Sequence, residues 1–128
     1  MNSYEWENKT VMVVEDENIN FRFIEEILKR TKAKVIRAKN GIEAINIARS
    51  TPSLDMILMD IKLPLVDGYE ATRQIRNFNK KVPIIAQTAF ALAGEKEKSK
   101  NAGCDDYLAK PLRINELLEK MSFFLDKL

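Results

Sequence analysis

Apolar residues along this chain come in two alternating spacings. Thr10-Val11-Met12-Val13-Val14 and Met56-Ile57-Leu58-Met59, the latter running into Asp60, are short unbroken runs that read as strands buried on both faces. Lys34 to Ala38, Pro83 to Gln87 and Asp106 to Ala109 are further short strand candidates. Between them the spacing turns helical. Ile19, Phe23, Ile24, Ile27 and Leu28 mark a helix from about Asn18 to near Thr31. Ile42, Ile45 and Ala48 mark the inner face of a second, capped by Asn40 and stopped before Pro52, and Ala71, Thr72 and Ile75 that of a third, from Tyr69 to Asn77. From about Leu92 to Asn101 the helix is mostly Glu and Lys, which predicts a solvated, weakly held element closed by Gly103. Ile114, Leu117, Leu118, Met121 and Leu125 give a last amphipathic helix, before which Arg113 offers no capping acceptor. Strands alternating with helices predict an α/β fold, a parallel sheet covered on both sides with right-handed crossovers. Met1 to Lys9 is polar apart from Tyr4 and Trp6, so residues 1–8 read as a lead-in and 9–128 as a single domain.

Composition narrows the chemistry. A chain of 128 residues, 45% hydrophobic and 31% charged, suits one compact domain. Its net charge of +2, with lysines interleaved among glutamates, argues against a nucleic-acid or anionic-membrane partner. The single cysteine, Cys104, excludes an internal disulfide framework. With no histidine, the chain cannot run a Ser-His-Asp or Cys-His mechanism, build a histidine metal site, or be a phosphohistidine donor itself. No apolar run approaches the roughly twenty residues of a spanning helix, so a soluble, cytoplasmic protein is expected.

The strand ends carry the chemistry. The first contributes Glu15 and Asp16, the third Asp60, the fourth Thr88 and the fifth Lys110. In a parallel sheet these ends share one edge, where open α/β folds bind ligands. Taken singly each has an ordinary explanation: a turn or capping aspartate, an acid pair favoured at a helix N-terminus, a strand threonine, a surface lysine. Taken together they describe a site. Carboxylates about 5 Å apart at an effective dielectric near 20 repel by roughly 3 kcal/mol per pair, more than one lysine relieves. An oxygen-only donor set points to Mg²⁺, or Mn²⁺, whose open positions suit phosphoryl oxygens. A carboxylate nucleophile, a cation, a lysine and a hydroxyl are the parts of a phosphoryl transfer onto Asp60.

The chain closely resembles the receiver domain of bacterial two-component response regulators over Lys9 to Leu125. The matching stretches are Val13-Val14-Glu15-Asp16, Met59 to Thr72 with its Pro64 and Asp67-Gly68, Thr88-Ala89, and Ala102 to Pro111. The resemblance implies a flavodoxin-like doubly wound sheet of five parallel strands, order 2-1-3-4-5, with five helices. It implies that Asp60 accepts a phosphoryl group from a histidine kinase or histidine phosphotransfer protein. Glu15, Asp16, Asp60 and the main-chain carbonyl of Lys62 would hold Mg²⁺, Thr88 and Lys110 would contact the phosphoryl group, and the Lys110-Pro111 bond would be cis. Thr88 and Tyr107 would form a switch that repacks the face of the fourth helix, fifth strand and fifth helix for a downstream partner. Tyr107 read alone is a half-buried strand aromatic. Lys62 and Phe90, both bulky, occupy positions that tune phosphoryl lifetime, from which slow self-dephosphorylation is expected. The Met59 to Thr72 pattern resembles receivers of hybrid sensor kinases somewhat more than stand-alone ones. No output domain is expected after the fifth helix, and the protein would be a monomer or a phosphorylation-dependent dimer.

Other Asp-based chemistries fit less well. A haloacid dehalogenase-type hydrolase needs a second acid two residues after its nucleophile, where this chain has Lys62. A flavodoxin cradles its phosphate after the first strand, where Glu15-Asp16-Glu17 would repel it. There is no Gly-x-x-x-x-Gly-Lys run for a P-loop. The remaining alternative is a receiver fold used as an interaction module without phosphorylation, which an incomplete acid set would favour.

Overall fold

The computed structural model describes residues 4–89 and 93–126. Five strands, β1 (Thr10–Val14), β2 (Lys34–Ala38), β3 (Met56–Asp60), β4 (Ile84–Thr88) and β5 (Asp106–Ala109), alternate with helices α1 (Asn18–Lys29), α2 (Gly41–Ser50), α3 (Gly68–Arg76), α4 (Ala93–Ala102) and α5 (Ile114–Leu125). All pairings are parallel, in the order β2-β1-β3-β4-β5. This is the predicted flavodoxin-like arrangement. Among the described residues no helix is long and apolar enough to cross a membrane.

Alternation along the strands divides the core in two. Met12, Val14, Ile57, Met59, Ile84 and Ala86 face a layer from α2 and α3 that includes Ala44, Ala48, Ala71 and Ile75. Val11, Val13, Met56, Leu58, Ile85 and Leu108 face the opposite way, onto Ile24 and Leu28 of α1 and Leu117 and Met121 of α5. Residues of β1, β3 and β4 are buried whichever way they point, which explains unbroken apolar runs in place of alternation.

The helical stripes differ from the expected ones at four residues. Ile19 and Phe23 of α1 are 84% and 44% exposed, and Phe21 turns inward with Ile24, Ile27 and Leu28. Ile42 of α2 is 45% exposed, while Gly41, Ala44, Ile45 and Ala48 are buried. In both helices the buried set spans one arc at 100° per residue, and the misassigned residues lie roughly 40° to 80° outside it. Ile114, at the start of α5, is also partly exposed. Helix α4 buries only Ser99 and Ala102 among its described side chains.

Trp6, placed by the sequence in a polar lead-in, belongs to the core. It is 1% exposed, its amide donates to the Thr31 carbonyl at 2.7 Å, and its indole N–H donates to Asp126 at 3.0 Å.

Candidate functional site

Backbone hydrogen bonds that continue past the strands bring their ends level. The Glu15 amide donates to the Ala38 carbonyl at 3.0 Å, Ile61 to Gln87 at 3.0 Å, and Lys110 to Thr88 at 2.7 Å. The side chains that follow β1, β3, β4 and β5 therefore meet along one edge. The loop after β3 is closed from below by α3, whose Asp67 cap accepts from the Glu70 amide at 2.9 Å. Gly68 fits here because a Cβ would lie 2.3 Å from the Asp60 carbonyl oxygen. Helix α3 thus begins directly against the backbone of Asp60.

At that edge one carboxylate oxygen from each of Glu15, Asp16 and Asp60 lies within 4.8 Å of the others. Glu15 and Asp60 are buried, and Asp16 is exposed. Lys110 Nζ bridges the buried pair, 3.4 Å from Glu15 Oε1 and 3.2 Å from Asp60 Oδ2. Asp60 Oδ1 accepts from the Lys62 amide at 3.3 Å, and Glu15 Oε2 from the Glu17 amide at 3.2 Å. Burial, reinforced by the Asp60 charge, pushes the Glu15 carboxyl from an ordinary 4.5 up to about 7. Burial works to lower the Lys110 pKa, but the Asp60 and Glu15 carboxylates outweigh it and hold the ammonium above its ordinary value. The cluster is short of positive charge and made only of oxygen donors, which fits a small hard cation.

Asp16 and Asp60 open onto a crevice of about 870 Å³, lined also by Lys62, Thr88 and Lys110. The Lys110-Pro111 peptide bond is cis. Tyr107 lies half-buried on β5, packed at the margin of the α2-α3 side of the core, with Lys120 Nζ 5.9 Å from its ring centroid. Phe90 lies outside the described residues.

Three neighbours of the cluster escape a reading of the sequence. Arg37 of β2 donates through Nε and Nη2 to the Glu15 carbonyl at 3.2 and 3.0 Å, and through Nη1 to Asn18 at 2.9 Å. Its guanidinium lies 4.5 Å from the Phe21 ring centroid. It fixes the backbone that carries the acid pair, and the one signal for it is a charge near the end of a strand whose other charge, Lys34, stands at its start. Tyr69 of α3 donates its hydroxyl to Glu95 of α4 and so ties two walls of the crevice together. Burial, then that hydrogen bond, pushes the Tyr69 pKa up to about 12. Gln87 stands opposite Asp60 in the β3-β4 register, fully buried.

A model of the response regulator receiver domain matches residues 11–122. The chain belongs to this family. As a receiver domain it is 36% identical, over 119 residues, to the polar-differentiation response regulator DivK of Brucella anthropi, covering 91% of this chain and 96% of DivK. Among solved structures it is similar to the receiver domain of the sensor histidine kinase PA1611 from Pseudomonas aeruginosa, which has a magnesium ion coordinated in its active-site cleft. The identity is 40%, the TM-score 0.86, and the match covers 93% of this chain and 98% of that one. It is also similar to the receiver domain of Ssk1 from Saccharomyces cerevisiae, co-crystallised with the histidine phosphotransfer protein Ypd1. There the identity is 34%, the TM-score 0.89, and the coverage 98% and 92%. Receiver domains of response regulators are signalling switches, and the acids of this one are compatible with Mg²⁺.

Proposed function

We propose that this receiver domain takes a phosphoryl group onto Asp60 and answers by repacking the face made of α4, β5 and α5. The observation that carries the reading is the convergence of Glu15, Asp16 and Asp60 within 4.8 Å, with Lys110 bridging two of them. In the transfer, a carboxylate oxygen of Asp60 forms a bond to phosphorus as the phosphorus-nitrogen bond of a donor phosphohistidine breaks. The imidazole nitrogen keeps the electron pair, and the product is an aspartyl phosphate. Having no histidine, the chain needs that donor from a partner, a histidine kinase or histidine phosphotransfer protein. The complex of the Ssk1 receiver with Ypd1 supports this class of partner.

Glu15, Asp16, Asp60 and the main-chain carbonyl of Lys62 would hold Mg²⁺, or Mn²⁺ in its place. When bound, the ion supplies the positive charge that lets a phosphoryl group approach a carboxylate cluster. Lys110 orients Asp60 and meets phosphoryl oxygens as its ion pair with Asp60 loosens, and Thr88 adds a hydroxyl from β4. Thr88 moving toward the phosphoryl group and Tyr107 turning inward would pass the change to α4, whose thin apolar anchoring makes it easy to shift. Lys62 and Phe90 would screen the phosphoryl group from water.

Intact mass spectrometry after incubation with acetyl phosphate and Mg²⁺ tests this reading. One added phosphoryl group on the wild-type chain and none on Asp60→Asn is expected, with slow loss once acetyl phosphate is removed. An unmodified wild-type chain, or equal addition to the variant, refutes the proposal and leaves a phosphorylation-independent interaction module. Rapid loss removes the screening role of Lys62 and Phe90.

A further inference from the structure

Helix α4 is held unequally at its two ends. The C-terminal end is pinned from several sides. Ser99 and Ala102 are buried, and the Cys104 amide donates to the Ser99 carbonyl at 2.9 Å. Arg76 of α3 donates to the Gly103 carbonyl at 2.9 Å and pairs with Asp105, also at 2.9 Å, while the Asp105 amide donates to the Ile84 carbonyl of β4 at 2.8 Å. The N-terminal end has nothing comparable among the described residues. Gly94, Lys96, Glu97 and Lys98 are exposed, and a Cβ on Gly94 would meet open space. What crosses from this end to the next helix is the Tyr69 hydroxyl of α3, donating to Glu95. The second partner of Glu95, Lys98 at 4.0 Å, belongs to α4 itself and is 67% exposed, so it does not anchor the helix.

The surroundings of this bond suit it to open and close. Tyr69 and Glu95 line the same crevice as Asp60, so negative charge added there disfavours the Glu95 carboxylate in its present place. One turn beyond Glu95, on the same face of α4, the buried Ser99 hydroxyl has no hydrogen-bond partner among the described residues, which is costly. It lies close enough to the Tyr69 phenol to favour its ionised form. The phenol can therefore leave Glu95 without being left bare, by turning to the Ser99 oxygen at the pinned end. We propose that Tyr69 and Glu95 form a latch that keeps the first turns of α4 on α3, and that on opening these turns come away about a pivot at Ser99. The latch itself does not depend on phosphorylation, whereas its opening by a phosphoryl group on Asp60 rests on the function proposed above. Released turns do not stay helical, since so short a run of Glu and Lys is marginal alone in water.

Amide hydrogen exchange of the full chain, read residue by residue by nuclear magnetic resonance, tests the latch. With no phosphoryl donor present, Tyr69→Phe should speed exchange at Glu97 and Lys98, whose amides close the first turn of α4, by about tenfold, as loss of one hydrogen bond to a charged acceptor implies. Gly103 and Cys104 should keep their wild-type protection. Glu95→Gln, which retains a neutral acceptor, should fall between. Unchanged exchange at Glu97 and Lys98 in Tyr69→Phe, or an equal rise that includes Gly103 and Cys104, overturns the latch. Acetyl phosphate and Mg²⁺ are then added, with uptake checked by intact mass. A wild-type chain carrying the phosphoryl group should show the same local rise, and Tyr69→Phe little further change. Retained protection in the phosphorylated wild type overturns the coupling to Asp60. A chain that takes up no phosphoryl group overturns the proposed function, and the comparison of unphosphorylated chains still decides the latch.

Discussion

Glu15 is the residue whose acid-base behaviour its surroundings change most. A carboxyl that titrates at about 7 in the folded chain and at 4.5 when free binds more protons folded than unfolded between those values. Folding is therefore favoured most below about pH 4.5 from this group, and the contribution disappears as pH rises through about 7. At 1.36 kcal/mol per pKa unit it amounts to roughly 3 kcal/mol at most. Urea unfolding in a chelator should show stability falling from pH 5 to pH 8, and Glu15→Gln should flatten the slope. A wild-type profile that is flat or rises would mean that Glu15 ionises like an exposed acid. Lys110 bears on another window, since an ammonium held above its ordinary pKa favours the fold until strongly alkaline pH. Arg37 acts on the same site through the backbone. Arg37→Lys keeps the charge but loses the two-pronged grip on the Glu15 carbonyl, and should weaken Mg²⁺ binding by roughly tenfold. Calorimetric titration at constant ionic strength measures this, and an unchanged affinity would reduce Arg37 to a stacking partner of Phe21.

Among the elements, α3 is the one whose placement the site cannot do without. Its first residue abuts the Asp60 carbonyl so closely that Gly68→Ala would put a Cβ 2.3 Å from a backbone oxygen. Backbone yields less readily than a side chain, so the substitution should cost about 2 kcal/mol or more in urea unfolding. A neutral result would mean that α3 slides freely along the sheet. Helices α1 and α4 mark where periodicity is and is not enough. On α1 Ile19 and Phe23 extend the apolar pattern beyond the buried arc, so spacing alone cannot rank the stripes. On α4 the run of Glu and Lys correctly reads as a mostly exposed face, because there is little apolar surface to bury in any orientation.

At the scale of the whole molecule, Trp6 ties the beginning of the described chain to its end. The indole is buried against the α1-α5 side of the core and hydrogen-bonds Asp126, the residue that follows α5. Trp6→Ala should destabilise the domain by about 3–5 kcal/mol, as large-to-small changes of buried aromatics do. Loss of less than about 1 kcal/mol in thermal or urea unfolding would return residues 4–9 to the status of a loose lead-in.

The amino-acid order alone determined the alternation of strands and helices, hence the parallel sheet, and through it the common edge shared by Glu15, Asp16, Asp60, Thr88 and Lys110. These are local properties: a run of apolar residues names a strand, and the residue after it is at the strand's end. Tertiary structure decided everything that depends on which distant residues meet. It brought Arg37 to the carbonyl of Glu15, 22 positions away, and Trp6 to Asp126 across 120. No spacing rule contains those meetings, because each is made by packing two elements that are strangers in sequence.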